Sequence, residues 1–491
     1  MALSLVVPQA RGAEETLRIG SKRFTESYIL AEVMAQSVAP HTPAKPVIRQ
    51  GLGNTAIVYE ALRSGGIDLY AEYTGTIALE ILKSDKPLPR EAMNAALASL
   101  GLGMAVPFGF NDGYALAMRA SQADALGLRS LSDLAKHPTL KLGLSNEFIG
   151  RADGWKGLAS QYRLPQSPTG LDHGLAYDAI AAKQVDVIDI YTTDAKINSL
   201  GLRVLQDDRQ YFPRYDAVVL YRLDVPQRFP KAWAALQALE GRIDERSMIA
   251  MNARAELNGE GFDVIARDFL AGRAATSTKR SFANKLFGAD FWTLTRQHLL
   301  LVLVSVGLAL LIAVPLAIAV FPHGRLRAVV LGLAGLMQTV PSLALLAVLI
   351  SFMGAIGTGP ALIALTLYAL LPIMRNTVTG LSEVPQGLRQ AAIALGMTKG
   401  QMLWLVQLPL AMPTLLAGVR TATTIAIGTA TIAAFIGAGG YGERIVTGLA
   451  LNDRGLLLAG ALPAAALALL SEAVFEAIEW LMRRRRTGSR V

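Results

Sequence analysis

Apolar positions follow two different patterns along the 491 residues. Up to about residue 270, short apolar runs alternate with stretches in which apolar positions recur every three or four residues. From Leu299 on, the apolar runs lengthen to about twenty residues and polar positions become rare. The first pattern predicts strands at Leu17–Gly20, Val47–Gln50, Leu69–Tyr70, Ala115–Arg119, Lys141–Leu144, Val187–Ile190 and Val218–Tyr221. Ser21–Thr25 reads as the loop after the first strand and Ser27–Val38 as the following helix. Strands alternating with helices make an α/β sheet, which binds ligands at the carboxyl ends of its strands. A length of about 250 residues suits two lobes around a cleft. The chain is expected to cross between them near Ala115–Arg119 and to return near Asp216–Arg222.

The second pattern predicts five membrane spans, at Leu299–Phe321, Val329–Phe352, Ala361–Met374, Leu415–Phe435 and Leu456–Leu481. The third is short for a bilayer unless it runs on through Arg375 to Leu381. Arg325 and Arg327 follow the first span, Arg375, Arg389 and Lys399 the third, and Arg483–Arg486 the fifth. The loop Ser351–Pro360 has no charge, and in Gly437–Gly455 the charges balance. Basic loops stay in the cytoplasm, so the carboxyl end is expected inside and residues 1–298 outside. Leu286–Leu294, with Phe287, Phe291 and Trp292, reads either as a short interfacial helix or as an extension of the first span. The expected layout is a remnant of a secretory signal at 1–16, a soluble domain at 17–271, a linker with its interfacial helix at 272–298, a membrane domain at 299–482 and a basic cytoplasmic tail at 483–491.

Composition narrows the chemistry. Hydrophobic residues make up 52% and charged residues only 17%, which excludes a wholly soluble or disordered chain. The absence of cysteine excludes thiolate metal sites, cysteine nucleophiles and disulfides. The net charge of +9 would suggest nucleic acid, but residues 1–298 hold 34 basic against 32 acidic residues. The excess therefore flanks the spans, and no nucleic-acid partner is expected. His41, His137, His173, His298 and His323 are scattered without metal-ligand spacing. No phosphate-binding G-x-x-x-x-G-K-[S/T] occurs, and the glycine-rich Gly437–Gly442 reads as a tight turn on the outer side. With no nucleophile–base constellation either, nothing in the chain argues for an enzyme.

Four tyrosines stand at separate strand ends: Tyr73 in DLYAEYTGT, Tyr114 in GFNDGYALA, Tyr191 in DIYTTD and Tyr215 in FPRYDAVVLYR. If they converge, their faces form a box for a quaternary ammonium, which has no N–H to donate and is held by cation–π attraction of about 0.5–2 kcal/mol per ring. If they do not, they pack the rim of a sheet. The residues alone leave both open.

Arg389–Pro409, RQAAIALGMTKGQMLWLVQLP, falls on the cytoplasmic side, with Gly396 ending one short helix and Met402–Val406 forming a second. Physics allows either a knob for a partner's groove or a plain loop. Gln390, Ala391, Ala392, Gly396, Leu408 and Pro409 match the coupling-loop signature of ABC-importer permeases, with Gln390 where that family has glutamate. TATIAAFIGAGGYGERI resembles the betaine-type permeases, and the resemblance covers the whole membrane half. The soluble half resembles the binding proteins of betaine, choline and carnitine importers through RIGSKRFTESYILAEV, GGIDLYAEYTGT, PFGFNDGYALAM and FPRYDAVVLYR.

The resemblance implies a two-lobed α/β type II periplasmic-binding-protein fold, followed by an all-α five-helix ABC type I importer domain. It carries a ligand cage onto Tyr73, Tyr114, Tyr191 and Tyr215. It carries carboxylate and head-group contacts onto Lys22, Thr76, Asp112 and Arg151, with Lys22 and Arg151 together at one end of the cleft and the box at the other. On that layout choline, without a carboxylate, would leave the two cations facing each other unpaired. The implied function is uptake of a glycine betaine- or carnitine-like zwitterion across a bacterial inner membrane, as in osmoprotection. Two copies of this chain would work with two copies of a separate ATPase, which brings ATP and Mg; the chain holds no cofactor of its own. Choline or ergothioneine as cargo, and a membrane-anchored ligand sensor, are the alternatives.

Overall fold

The computed structural model describes residues 15–43, 45–84, 86, 88–273, 281–451 and 453–487, without the side chains of 483 and 485–487. Most of the expected signal segment and parts of the expected linker and tail therefore lie outside the described residues. The described residues form two compact units, one built from those up to 273 and the other from most of those from 281 on.

The first unit is built on two five-stranded sheets. Strands β1 (Arg18–Gly20), β2 (Val47–Arg49), β3 (Leu69–Tyr73) and β4 (Leu102–Ala105) belong to one lobe. Strands β5 (Tyr114–Arg119), β6 (Leu142–Ser145), β7 (Thr169–Leu171), β8 (Val187–Tyr191) and β9 (Leu202–Val204) form the other, and β10 (Ala217–Arg222) returns to the first. The orders are β2-β1-β3-β10-β4 and β7-β6-β8-β5-β9. In each sheet the strand that has just crossed over is antiparallel to its neighbours, β10 to β3 and β4, β5 to β8 and β9.

All seven expected strands are present, and β3 extends three residues beyond its expected end. β4, β7 and β9 lie outside the expected strands: β7 (TGL) and β9 (LRV) are half-exposed edges with little apolar signal, and a glycine interrupts the apolar run of β4 (LGMA). The crossings lie at 106–113 and 205–216, so the first precedes its expected position. The crossing segments pair with each other, Asp112 N–H to Tyr215 O at 3.0 Å and Ala217 N–H to Phe110 O at 3.1 Å. Val106 opens the first crossing at φ +52, a conformation that a β-branched residue rarely adopts.

Local sequence explains the elements that deliver the site. Thr25–Val38 buries Ile29, Leu30, Val33, Met34 and Val38, and Pro40, which has no N–H to continue an α-helix, follows its end. Val187–Tyr191 reads as an unbroken apolar run around Asp189 because both faces of that strand are covered. The buried acids are held by donors. Asp189 accepts from the Ser145 N–H and hydroxyl, and Asp68 accepts from Arg18 and Arg228.

Among the described residues the second unit has four helices long and apolar enough to span a membrane: Phe291–Val320, Thr358–Ser382, Lys399–Ala430 and Arg454–Met482. The expected second span is instead a bent pair, Gly324–Thr339 and Ser342–Met353, turning by 100°. Pro341 sits at the break; it removes a backbone donor and drives Val340 to an extended ψ of 125°. The third span continues through Arg375 to Ser382, which resolves its length. The fourth begins at Lys399 rather than Leu415, absorbing the second short helix expected in the loop. Phe291–Leu294 belongs to the first span, and a separate short helix covers only Phe282–Leu286.

Prolines inside spans leave carbonyls four residues earlier without a donor, which is costly away from water. Pro372 frees the Tyr368 carbonyl, and the Gln338 side chain donates to it at 2.8 Å. Pro463 frees the Ala459 carbonyl, and the Arg444 guanidinium donates to it at 3.2 Å. We expect Gln338→Leu to lower permease stability by about 1–3 kcal/mol, read as a loss of detergent-solubilised protein on heating.

Candidate functional site

Sheet polarity gathers the tyrosines at one edge of each sheet. β5 runs opposite to β8, so the first residue of one sits beside the last of the other, Tyr114 opposite Tyr191. β10 runs opposite to β3, with Ala217 opposite Tyr73, which places Tyr215 just beyond the end of β3. Tyr114 lies 5.0 Å from Tyr191 and 5.8 Å from Tyr215 between ring centroids. Tyr73 joins through Phe24, which is 6.2 Å from it and 5.3 Å from Tyr191. Phe148 closes on Tyr114 at 5.2 Å. All four tyrosines thus belong to one aromatic cluster.

Phe24 and Phe148 were not among the expected site residues. Phe24 lies inside RIGSKRFTESYILAEV and Phe148 three positions before Arg151, so proximity to Lys22 and Arg151 was the available signal.

The phenols are anchored. Tyr73 donates to Glu26 Oε1 at 2.5 Å and Tyr215 to Asp153 Oδ2 at 2.6 Å; the Tyr114 and Tyr191 oxygens lie 3.4 Å apart. Burial pushes the Tyr73, Tyr114 and Tyr191 phenols well above their usual range, so they stay neutral.

The two cations are not where the resemblance puts them. Lys22 Nζ lies over the Tyr73 ring at 4.9 Å and is bonded to Glu72 at 2.5 Å. Arg151 lies over the Tyr114 ring at 5.1 Å, forks onto both oxygens of Asp153 at 2.7 Å, and donates to Thr76 Oγ1 at 3.2 Å. Each cation stands against the box with a carboxylate already beside it, so the expected pair at the far end of the cleft is corrected. An unpaired-cation penalty against choline does not follow from this arrangement. Thr76 bridges the lobes through Arg151, and Asp112 Oδ1 lies 2.9 Å from the Thr193 hydroxyl oxygen.

Arg151→Met would leave Asp153, which is 5% exposed, with the Tyr215 phenol as its remaining strong donor. Breaking a buried pair from one side costs about 3–5 kcal/mol. We expect a marked fall in the melting temperature of the purified chain, larger than for Lys136→Met, whose pair with Asp133 is at the surface.

In the second unit Gln386–Ala394 ends in a Schellman arrangement. Gly396 N–H reaches Ile393 O at 2.9 Å, Met397 N–H reaches Ala392 O at 3.1 Å, and Gly396 has φ +73. Thr398 then caps the next helix through a reciprocal pair with Gln401. Gln390, Ala391, Gly396 and Pro409 are exposed, while Ala392 and Leu408 are buried. Ile393, Leu395, Trp404 and Leu405 add an exposed apolar surface to this loop. Gly437, Gly439 and Gly440 all take positive φ, as a tight turn requires. Among the described residues no group of acidic or histidine side chains could hold a metal ion.

A two-lobed domain with an aromatic cluster where its lobes meet, continued by apolar spans, is a binding protein and a permease in one polypeptide. Residues 15–272 match the substrate-binding domain of ABC-type glycine betaine transport systems, and residues 305–486 match the binding-protein-dependent transport system inner membrane component. The chain belongs to this ABC-importer family.

A glycine-betaine-binding protein of Pseudomonas aeruginosa is 36% identical over 273 residues, covering 52% of this chain and 87% of that protein. The osmoprotectant import permease protein OsmW of Salmonella typhimurium is 44% identical over 196 residues, covering 39% and 88%. The ergothioneine transport permease/ergothioneine binding protein EgtU of Helicobacter pylori is 31% identical over 274 residues, 54% of this chain; the match spans about half, 49%, of that protein's length.

Proposed function

We propose that the chain captures a compound with a trimethylammonium head and passes it through a membrane as the binding and spanning subunit of an ABC importer. The observation that carries this reading is the convergence of Tyr73, Tyr114, Tyr191 and Tyr215 with Phe24 in one aromatic cluster where the lobes meet. A quaternary ammonium is recognised by ring faces because it cannot donate ordinary hydrogen bonds. On this reading Lys22 and Arg151 hold the ring faces until the ligand arrives, and a ligand carboxylate then competes with Glu72 and Asp153 for them. Thr76 and the backbone of Asp112 complete the contacts. Glycine betaine and carnitine carry both charges. A larger betaine of the ergothioneine type is a second reading, supported by the likeness to the Helicobacter ergothioneine transport permease/binding protein.

The binding domain lies outside the cytoplasmic membrane and the carboxyl end inside, as the basic loops favour. Two copies of the chain pair with two copies of a separate ATPase. The loop 389–409 seats in that ATPase through Ile393, Leu395, Trp404 and Leu405, whose exposed apolar surface needs a partner. Closure of the lobes on ligand, docking and nucleotide-driven opening then follow in order, and coupling requires that the ligand bind the closed lobes more tightly than the open ones.

Calorimetric titration of the purified chain with glycine betaine, carnitine, choline and ergothioneine tests the reading. At least one should bind with a Kd of about 10 μM or tighter; binding by none overturns it. The coupling role is separable. Gly396→Asp puts a side chain at φ +73 and should leave ligand binding intact while abolishing ligand-stimulated ATP hydrolysis by the assembled transporter. Full stimulation would remove the loop from the coupling path.

A further inference from the structure

Glu26 has no task in the reading above. It stands in the first turn of Thr25–Val38 and is 2% exposed, and among the described residues no basic side chain forms an ion pair with it. Its oxygens accept from the Tyr73 phenol at 2.5 Å, the Thr193 hydroxyl at 2.6 Å and the Asn252 amide at 3.4 Å. Thr193 belongs to the opposite lobe, so this carboxyl sits where the lobes meet, at the phenol end of one box wall. The Thr193 hydroxyl is also 2.9 Å from Asp112 Oδ1. A hydroxyl has one proton and cannot donate to both. One of the two carboxyls is therefore best satisfied when it carries a proton itself.

Burial pushes Glu26 up to about 7 and Asp112 up as well, so this acid is poised between its neutral and ionised forms. A ligand cation added beside the Tyr73 ring, which Lys22 already faces in its pair with Glu72, would favour the ionised form further. Ionised Glu26 in turn strengthens the hydrogen bond it accepts from Tyr73. Electron density moves into that ring, and its face attracts a cation more strongly. A neutral head group of the same shape would gain from neither effect.

We propose that Glu26 sets the preference of the box for a cationic over a neutral head group, both as its counter-charge and by polarising Tyr73. This rests on the reading of the box as the ligand site. Glu26 acts through Tyr73, so it is a positioning residue.

The other charged and titratable groups around Glu26 and Tyr73 are Asp112 in the first crossing, His173 and Tyr177 of His173–Ala181, Tyr191 of β8, Asp194 and Lys196 after β8, Glu256 of Glu245–Glu256, and Lys22 over the Tyr73 ring with its partner Glu72. His173 at 3.1 Å and Tyr177 at 2.6 Å engage Asp194, which is held below its usual range despite burial. Burial also pushes Glu256 up to about 7. The share that belongs to Glu26 is therefore the difference between wild type and Glu26→Gln, which keeps the shape and an acceptor for Tyr73 while removing the charge.

The purified full chain is titrated with choline and with 3,3-dimethylbutan-1-ol, its uncharged carbon isostere, from about pH 5.5 to about pH 8.5. Wild type should bind choline more tightly as pH rises through about 7, because binding favours the ionised carboxyl. Glu26→Gln should weaken choline by about tenfold, leave the isostere within about twofold, and flatten the pH rise. Equal weakening of both ligands means that Glu26 only packs the site, and an unchanged ratio and pH profile means that it plays no part; either result overturns the proposal. Wild type supplies a second readout that does not depend on the variant folding. At pH 7 choline binding should release a fraction of a proton, seen by titration in buffers of different ionisation heat. Choline binding without proton release overturns this proposal alone, whereas failure to bind any trimethylammonium ligand overturns the box itself.

Discussion

Replacing Tyr215 with alanine should weaken ligand binding by about a hundredfold or more, the largest loss expected from a single residue of the proposed box. Tyr215 is 1% exposed and stands edge-on to Tyr114 where the second crossing enters β10. Gly75 has no side chain to make room for it: a Cβ there would lie 2.6 Å from the Tyr215 ring. Alanine removes a buried ring, a change that costs about 3–5 kcal/mol when the cavity cannot collapse. It also deletes one cation–π wall, worth about 0.5–2 kcal/mol, and takes the phenol donor from Asp153. Asp153 then turns wholly to Arg151, which draws the guanidinium away from any ligand carboxylate. Tyr215→Phe keeps the ring and loses only the hydrogen bond, so about tenfold is expected. Tyr73→Ala, Tyr114→Ala and Tyr191→Ala should each cost about 1–3 kcal/mol in binding. Calorimetry on the purified chain decides among these. Wild-type affinity in Tyr215→Ala would place the ligand elsewhere.

The order of these effects could not be read before the fold was known, though much else could. Apolar runs and their alternation with helices indicated seven strands, clearest in the five- and six-residue Leu69–Tyr73, Tyr114–Arg119, Val187–Tyr191 and Ala217–Arg222, which bury most of their residues. The three-residue edges Thr169–Leu171 and Leu202–Val204 bury too little. The tyrosines were visible as strand-end residues, but their meeting depends on β5 and β10 running antiparallel within their sheets, which no local pattern encodes. Only the resemblance suggested that they meet. The ion pairs were hidden for the same reason. Lys22 and Glu72 are fifty positions apart, and the register of β1 against β3 brings them together. Arg151 and Asp153 are two positions apart and could have been suspected as partners from the sequence. The bend at Pro341 was also legible: a proline inside an apolar run predicts a break at the residue before it.

Gly418→Val should abolish transport while leaving ligand binding unchanged. Gly418 lies where Leu408–Ala430 crosses Thr358–Ser382. A Cβ at this position would stand 2.6 Å from Asn376 Cβ and 2.8 Å from Pro372 O. Neither neighbour can yield. The first is the root of a side chain whose amide is tied to Pro372 O at 2.9 Å, and the second is backbone. Gly380, on the facing helix, meets Ala411 O at 2.9 Å in the same way, so the two helices approach through a glycine on each. Valine adds three carbons at the tighter contact, and overpacking of this kind typically costs about 1–3 kcal/mol, occasionally more. The strain falls on the helix that runs without interruption from the loop at Lys399 into the bundle, so parting the pair also displaces that loop. Gly428 lies ten residues further along the same helix, and a Cβ there would meet nothing within 4 Å. Gly428→Ala is therefore the matched control and should transport normally. Uptake of a ligand that the wild type binds, measured in proteoliposomes with the ATPase, should be lost in Gly418→Val and retained in Gly428→Ala. Normal uptake in both would mean that this crossing is loose enough to absorb a side chain and that close glycine packing does not hold the permease together.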